Sequence, residues 1–144
     1  MKNTDKAYYW LKMAEEDYKD AKISIENKRF PSAVFHAQQC CEKVCKAILV
    51  YFGIEPGKNF PSHQIELRII RGNKYSLEKE KLEILERIVS LSHILESQKE
   101  FPRYGWETVD RIIMPSEIYD ATKSTLLFKN GAEVLRLAKN LLGI

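Results

Sequence analysis

Between Pro31 and Phe52 the chain spaces an amide, a carboxylate and an ammonium so that a helix would gather them on one side. At roughly 100° per residue, Gln39, Glu42 and Lys46 fall within about one sixth of a turn of one another, with His36 and Lys43 at the edges of the arc. That mixture can hold a phosphate and the polar edge of a base. The plainer reading is a solvated face with an ordinary i,i+4 pair between Glu42 and Lys46. Farther along, Arg103 and Tyr104 set a phosphate-directed guanidinium beside an aromatic plane, and Trp106 adds another. Here too a structural role competes: the rings would cover one end of the molecule while Arg103 pairs with a carboxylate such as Glu42. His63, just after Ser62, could cap a short helix, pack against the loop or contact a ligand.

These groups need elements to hold them. The opposite arc of the same stretch, Val34, Ala37, Cys41, Val44, Cys45 and Ile48, is apolar, so a helix from Pro31 to Phe52 can bury one side and present the other. Before it, Ala7, Leu11, Ala14, Tyr18, Ala21 and Ile25 alternate steps of four and three, which predicts a helix from Asp5 to about Asn27. A break at Asn27 to Phe30 and Pro31 in the next first turn make these two an antiparallel hairpin. Gly53 and Glu55-Pro56-Gly57 stop the second helix. Ser62 is expected to cap a short helix from His63 to about Ile70, ended by Arg71-Gly72-Asn73, and Ser76 to cap a longer one from Leu77 to about Gln98. That longer helix carries two apolar rows, Ile84, Ile88, Leu91, Leu95 and Leu82, Leu85, Val89, as in a bundle interior or a dimer contact.

From Phe101 to Pro115 helical periodicity fails, and prolines, a glycine and aromatics mark a structured loop. Ser116 is expected to begin the last helix, whose inward row would be Ile118, Ala121, Thr125, Phe128, Ala132 and Leu135, with Gly131 permitting close approach of a neighbour. No strand is predicted. The expected fold is all-α: an up-and-down four-helix bundle with one additional short helix, in a single domain spanning residues 1–144.

Composition narrows the function. The 144 residues suffice for one self-sufficient core, since a domain of about that size buries roughly 70% of its unfolded surface. A formal net charge of +3 does not announce a polyanion partner by itself. The charged first turns exclude a secretory leader, and no apolar run spans a bilayer, so a cytoplasmic protein without membrane contact is expected. Cys40, Cys41 and Cys45 lack zinc-ligand spacing and read as small buried hydrophobes. No Gly-rich phosphate loop, zinc helix, nucleophile elbow, calcium loop or paired Glu-x-x-His is present, so no metal and no cofactor is assigned.

One order of residues resembles a known family. Trp10, Leu11, Ala14 and Asp17, then Ala33, Phe35, Ala37-Gln38-Gln39, Glu42-Lys43 and Lys46-Ala47, then His63, and finally Arg103-Tyr104 before a last amphipathic helix, resemble the HEPN family (higher eukaryote and prokaryote nucleotide-binding domain) along almost the whole chain. The chain departs from it in carrying Gly105 where the small members often have proline, and Cys40 and Cys41 where they often have alanine. The resemblance implies a helical bundle, usually a homodimer, that binds nucleotide or RNA and is often partnered by a minimal nucleotidyltransferase subunit. The residues that would carry binding are Gln39, Glu42, Lys43, Lys46, His63, Arg103 and Tyr104. Some members are metal-independent endoribonuclease toxins that use an arginine with a histidine four to six residues later. Arg87 and His93 meet that spacing, but Ile88 follows the arginine and the two lie a third of a turn apart on a regular helix. We read the match as coincidence and assign no catalytic residue. A non-catalytic dimeric scaffold is the third reading.

Overall fold

A computed structural model of the chain describes residues 1–58, 60–72 and 74–144. Its elements are α1 (Asn3–Glu26), α2 (Phe30–Tyr51), α3 (Pro61–Ile65), α4 (Lys79–Glu96), α5 (Phe101–Tyr104), β1 (Trp106–Glu107), β2 (Ile112–Ile113), α6 (Pro115–Ile118) and α7 (Ala121–Leu142). The four long helices run up and down. In the α1–α2 hairpin, Ser24 meets Ser32 and Asp17 meets His36. Cys45 meets Ser92, and Gln38 meets the Leu95 carbonyl, so α4 runs against α2. Lys139 reaches Glu15, and Tyr18 stacks on Phe128, so α7 runs against α1.

The central element is α2, which touches α1, α3, α4, α5, α6 and α7. The apolar arc read from sequence is entirely buried, and Cys40, Ala47, Leu49 and Val50 join it because α2 has neighbours on several sides. Gly53 ends the helix in the left-handed conformation that a glycine adopts freely. In α1 the row Ala7, Leu11, Ala14, Ala21 is buried as expected, but Asp17 and Ser24 continue it in place of Tyr18 and Ile25. Both polar residues find partners on α2, which is what makes their burial tolerable.

Several expected boundaries move. Ser62 lies inside the first turn of α3 rather than capping it, and a π turn over Glu66–Ile70 extends that helix, closed by Arg71 N–H donating to the Glu66 carbonyl at 2.9 Å. Asn73, read as part of the end of this helix, lies outside the described residues. Ser76 has φ 47° and sits upstream of α4, whose cap position is Glu78. Ser116 belongs to the separate turn α6. The long helix starts later, where Asp120 caps α7 by accepting from Lys123 N–H at 2.8 Å. The buried row of α7 is Ser124, Leu127, Gly131, Val134, Ala138 and Leu142, with Leu135 and Leu137 beside it, one residue earlier than the apolar count predicts. The reason is steric. Small residues face α2 where the helices approach closely, and a Cβ on Gly131 would lie 3.1 Å from that of Ala37.

The Phe101–Pro115 loop contains a two-residue antiparallel ladder that the sequence reading lacked, pairing Trp106 with Ile113 and Glu107 with Ile112. Gly105 opens it with φ 70°, a conformation closed to proline, and any Cβ there would meet the Ile113 carbonyl oxygen at 2.1 Å. Proline could not occupy this position on the loop path seen here. Among the described residues no helix is long and apolar enough to cross a membrane.

Candidate functional site

Where α4 ends against the middle of α2, the main chain turns sharply, and Lys99 takes φ 53°. The turn is pinned from α2: the Gln38 side-chain amide donates to the carbonyls of Leu95 and Lys99, each at 3.0 Å, the first of which also accepts from Gln98 N–H at 3.1 Å. This bond set holds the end of α4 over the polar arc of α2. The result is a cleft of about 210 Å³. Gln39 and Glu42 line it from α2, Glu96 and Lys99 from the end of α4, Arg103 from α5, and Lys58 with Phe60 from the segment entering α3.

Arg103 is the most exposed to chemistry of these. Its guanidinium carbon lies 5.2 Å from the ring centre of Phe35 and 5.1 Å from that of Tyr104, and no carboxylate pairs with it among the described residues. The expected alternative, a pair with Glu42, does not form; Glu42 is 3.7 Å from Lys46 instead. Aromatic faces thus orient the guanidinium without neutralising it, leaving its N–H groups for an anion. Tyr104 itself is 65% exposed.

A second cleft, about 370 Å³, lies on the other side of Phe60 and Glu96, with Ser62, His63, Glu66, Val89 and His93 completing its wall. Phe60 divides the two. Its backbone is left-handed (φ 48°, ψ 66°) and its ring is 61% exposed, while Pro61 behind it is buried. A non-glycine residue held there stores strain of about 1–3 kcal/mol. Glu96 spans both clefts. Ser62 Oγ donates to its Oε2 at 2.7 Å, whereas the buried Oε1 has no partner among the described residues. Burial pushes the Glu96 carboxyl above its ordinary range, against the lowering effect of the Ser62 bond.

The structure sorts the residues singled out from sequence. Gln39, Glu42 and Arg103 share one cleft, Tyr104 flanks it, and His63 lines the adjoining one. Lys43 is not brought there: it bonds Asp17, beside His36, whose Nδ1 is 3.2 Å from the same carboxylate. Lys46 turns toward the Trp10 ring at 5.3 Å and lines a separate hollow with Lys6 and Glu55. Arg87 and His93 diverge as their helical angle requires: Arg87 is exposed and lies outside the Phe60 cleft, which His93 lines. Lys58, Phe60, Ser62, Glu96 and Lys99 were missed. Four of them lie in turns or short segments without periodicity, and the only local signal was the Phe60-Pro61 step.

Asp17, Asp20 and His36 offer three ligand atoms within 4.8 Å of one another. The Lys43 ammonium already supplies the positive charge on Asp17, so this group acts as an internal ion network tying α1 to α2. The cysteines carry no reactive chemistry. All three are buried, and desolvation pushes the Cys40 and Cys45 thiols up to about 12, with Cys41 raised well above its ordinary value.

Comparison with known proteins agrees with this architecture. A family model described as the HEPN domain matches residues 7–128. The chain is 30% identical over 143 residues to a protein of Methanocaldococcus jannaschii named "Putative toxin MJ1304", covering 97% of this chain and 90% of that one. The crystal structure of ST0689, described as an archaeal HEPN homologue, superposes with a TM-score of 0.65 at 23% identity, covering 94% of this chain and 97% of the other.

Proposed function

The chain belongs to the HEPN domain family, and from that premise we propose that it binds nucleotide or RNA and acts with a minimal nucleotidyltransferase partner as one half of a toxin–antitoxin-like pair. The observation that carries the binding reading is the ring-oriented Arg103, without a carboxylate partner among the described residues, which lines one cleft with Gln39 and Lys99. Lys58, Lys99 and Arg103 outweigh Glu42 and Glu96 there. A phosphate would find charge-assisted donors, and an exposed ring stands beside it. The toxin role is supported by the name of the M. jannaschii relative.

Titration with AMP, CMP and inorganic phosphate tests the binding reading. Removing one charge-assisted contact by Arg103→Ala or Lys99→Ala is expected to weaken nucleotide affinity about tenfold or more while leaving the melting temperature close to wild type. Lys43→Ala is expected to do the reverse, lowering stability on the order of 1–3 kcal/mol by stranding Asp17 while sparing affinity. Nucleotide binding unaffected by both cleft substitutions would refute the site. The toxin role predicts growth arrest on expression, relieved by co-expression of the nucleotidyltransferase-type partner.

A ribonuclease reading draws on one observation, that His93 reaches the Phe60 cleft. Arg87 of the same chain lies outside it, so the arginine would have to come from a second copy. RNA left intact by purified protein, together with an indifferent His93→Ala variant in cells, would exclude it.

A further inference from the structure

The two clefts that meet at Phe60 and Glu96 have opposite chemistry. The smaller holds Lys58, Lys99 and Arg103. The larger has no lysine or arginine in its wall; it offers the Phe60 ring, Val89, two imidazoles and the carboxylates of Glu66 and Glu96. A phosphate is favoured in the first and repelled from the second, while the flat, largely apolar body of a base suits the second. At about 370 Å³ the larger cleft is within the range of sites that hold small ligands. Phe60 is the one ring in both walls, and its strained backbone holds it on the ridge where a base and its phosphate would part company.

One atom has an unmet bond at this junction. Ser62 occupies Oε2 of Glu96, and among the described residues nothing donates to the buried Oε1. A buried acceptor without a partner costs free energy, and natural sites rarely leave one unless something else completes it. A lone carboxylate oxygen is completed by a donor, either water or an N–H group; of the groups on a base edge an amine N–H can supply it, whereas a carbonyl in the same place would set two acceptors against each other.

We propose that the larger cleft is a base-reading subsite in which Glu96, positioned by Ser62, accepts a hydrogen bond from the exocyclic amine of a base stacked on Phe60, making Glu96 the residue that selects amino-bearing bases over those with a carbonyl at the same position. The inference rests on the nucleotide-binding reading and adds the base class and the selecting residue. It treats His63 as a wall of the base cleft, and it gives the strained Phe60 a purpose that packing does not supply.

The test compares CMP with UMP, which carry an amine and a carbonyl at the same ring position and differ with it in whether the adjacent ring nitrogen bears a proton, and repeats the comparison with AMP and IMP. Wild-type protein is expected to bind the amino member of each pair about tenfold more tightly. Glu96→Gln, nearly the same shape and able to present either a carbonyl or an amide N–H, is expected to bring both ratios close to one; Ser62→Ala should lower the ratios in part, by freeing the carboxylate to rotate. The wild-type ratios need no variant to fold. Equal binding of CMP and UMP by the wild type, or ratios unchanged in Glu96→Gln, overturns the base-reading role and leaves the nucleotide site standing. Binding of no nucleotide above the level of inorganic phosphate overturns the site itself, and this inference with it.

Discussion

At the scale of single residues, ionisable side chains here divide into those the fold has neutralised and those it leaves available. Lys43, His36 and Asp17 satisfy one another, Lys46 is shared between Glu42 and the Trp10 ring, and the three thiols are desolvated. Arg103 and Glu96 Oε1 remain. The thiols supply one prediction. With pKa values near 12 for Cys40 and Cys45, a maleimide or disulfide reagent at pH 8 should leave the native protein unlabelled and modify all three cysteines in denaturant; rapid native labelling would mean that the core opens. Glu96 supplies another. Its folded pKa is raised, so the folded state binds more protons than the unfolded one as pH climbs from the ordinary carboxyl value of 4.5 through the raised value. Its contribution to stability is present below that window and lost across it. Glu96→Gln should therefore flatten the decline of melting temperature with rising pH in this interval, and an unchanged slope would show that Glu96 does not cause it.

At the scale of elements, each long helix could be recognised from its own residues, but the contacts that aim the site come from the pieces between them. Gln38 locks the end of α4, and Gly105 sets the direction of the ladder that follows Tyr104. Gly105→Ala must displace the Ile113 carbonyl from a 2.1 Å contact while adopting an unfavourable φ. Loss of the β1–β2 ladder, seen as a changed Trp106 environment in fluorescence, is expected at a stability cost of roughly 1–3 kcal/mol. Gly131→Leu, by contrast, should act on the core through overpacking against Ala37, lowering stability by about 1–3 kcal/mol or more without touching the clefts.

At the scale of the whole molecule, the apolar surface is unevenly covered. Leu82 and Ile84 of α4 are only partly buried, Ile94 is 42% exposed, and Leu67 of the neighbouring segment is exposed as well. The doubled apolar rows expected of this helix are therefore more than one bundle consumes, which supports a homodimer through the α4 side. Light scattering should return twice the 16.8 kDa chain mass; a monomer mass at high concentration would contradict it. Arg103 also borders a broader groove containing Lys28, Arg29 and Phe35, so the basic surface continues beyond the first cleft, and affinity for short RNA should exceed that for mononucleotides.

Sequence alone determined the bundle: residues three and four apart along α1, α2 and α4 already state which side is buried, because helical geometry is local and periodic. It also singled out Gln39, Glu42 and Arg103, whose side-chain chemistry is visible in their identity. It misplaced the α7 row, since Ser124 and Gly131 are buried for closeness rather than for hydrophobicity. Only tertiary structure decided that Lys43 is consumed by Asp17, that Lys46 turns away, and that Lys58, Phe60, Glu96 and Lys99 close around the arginine. Those decisions depend on where turns carry the chain between helices, and no spacing along one helix contains that information.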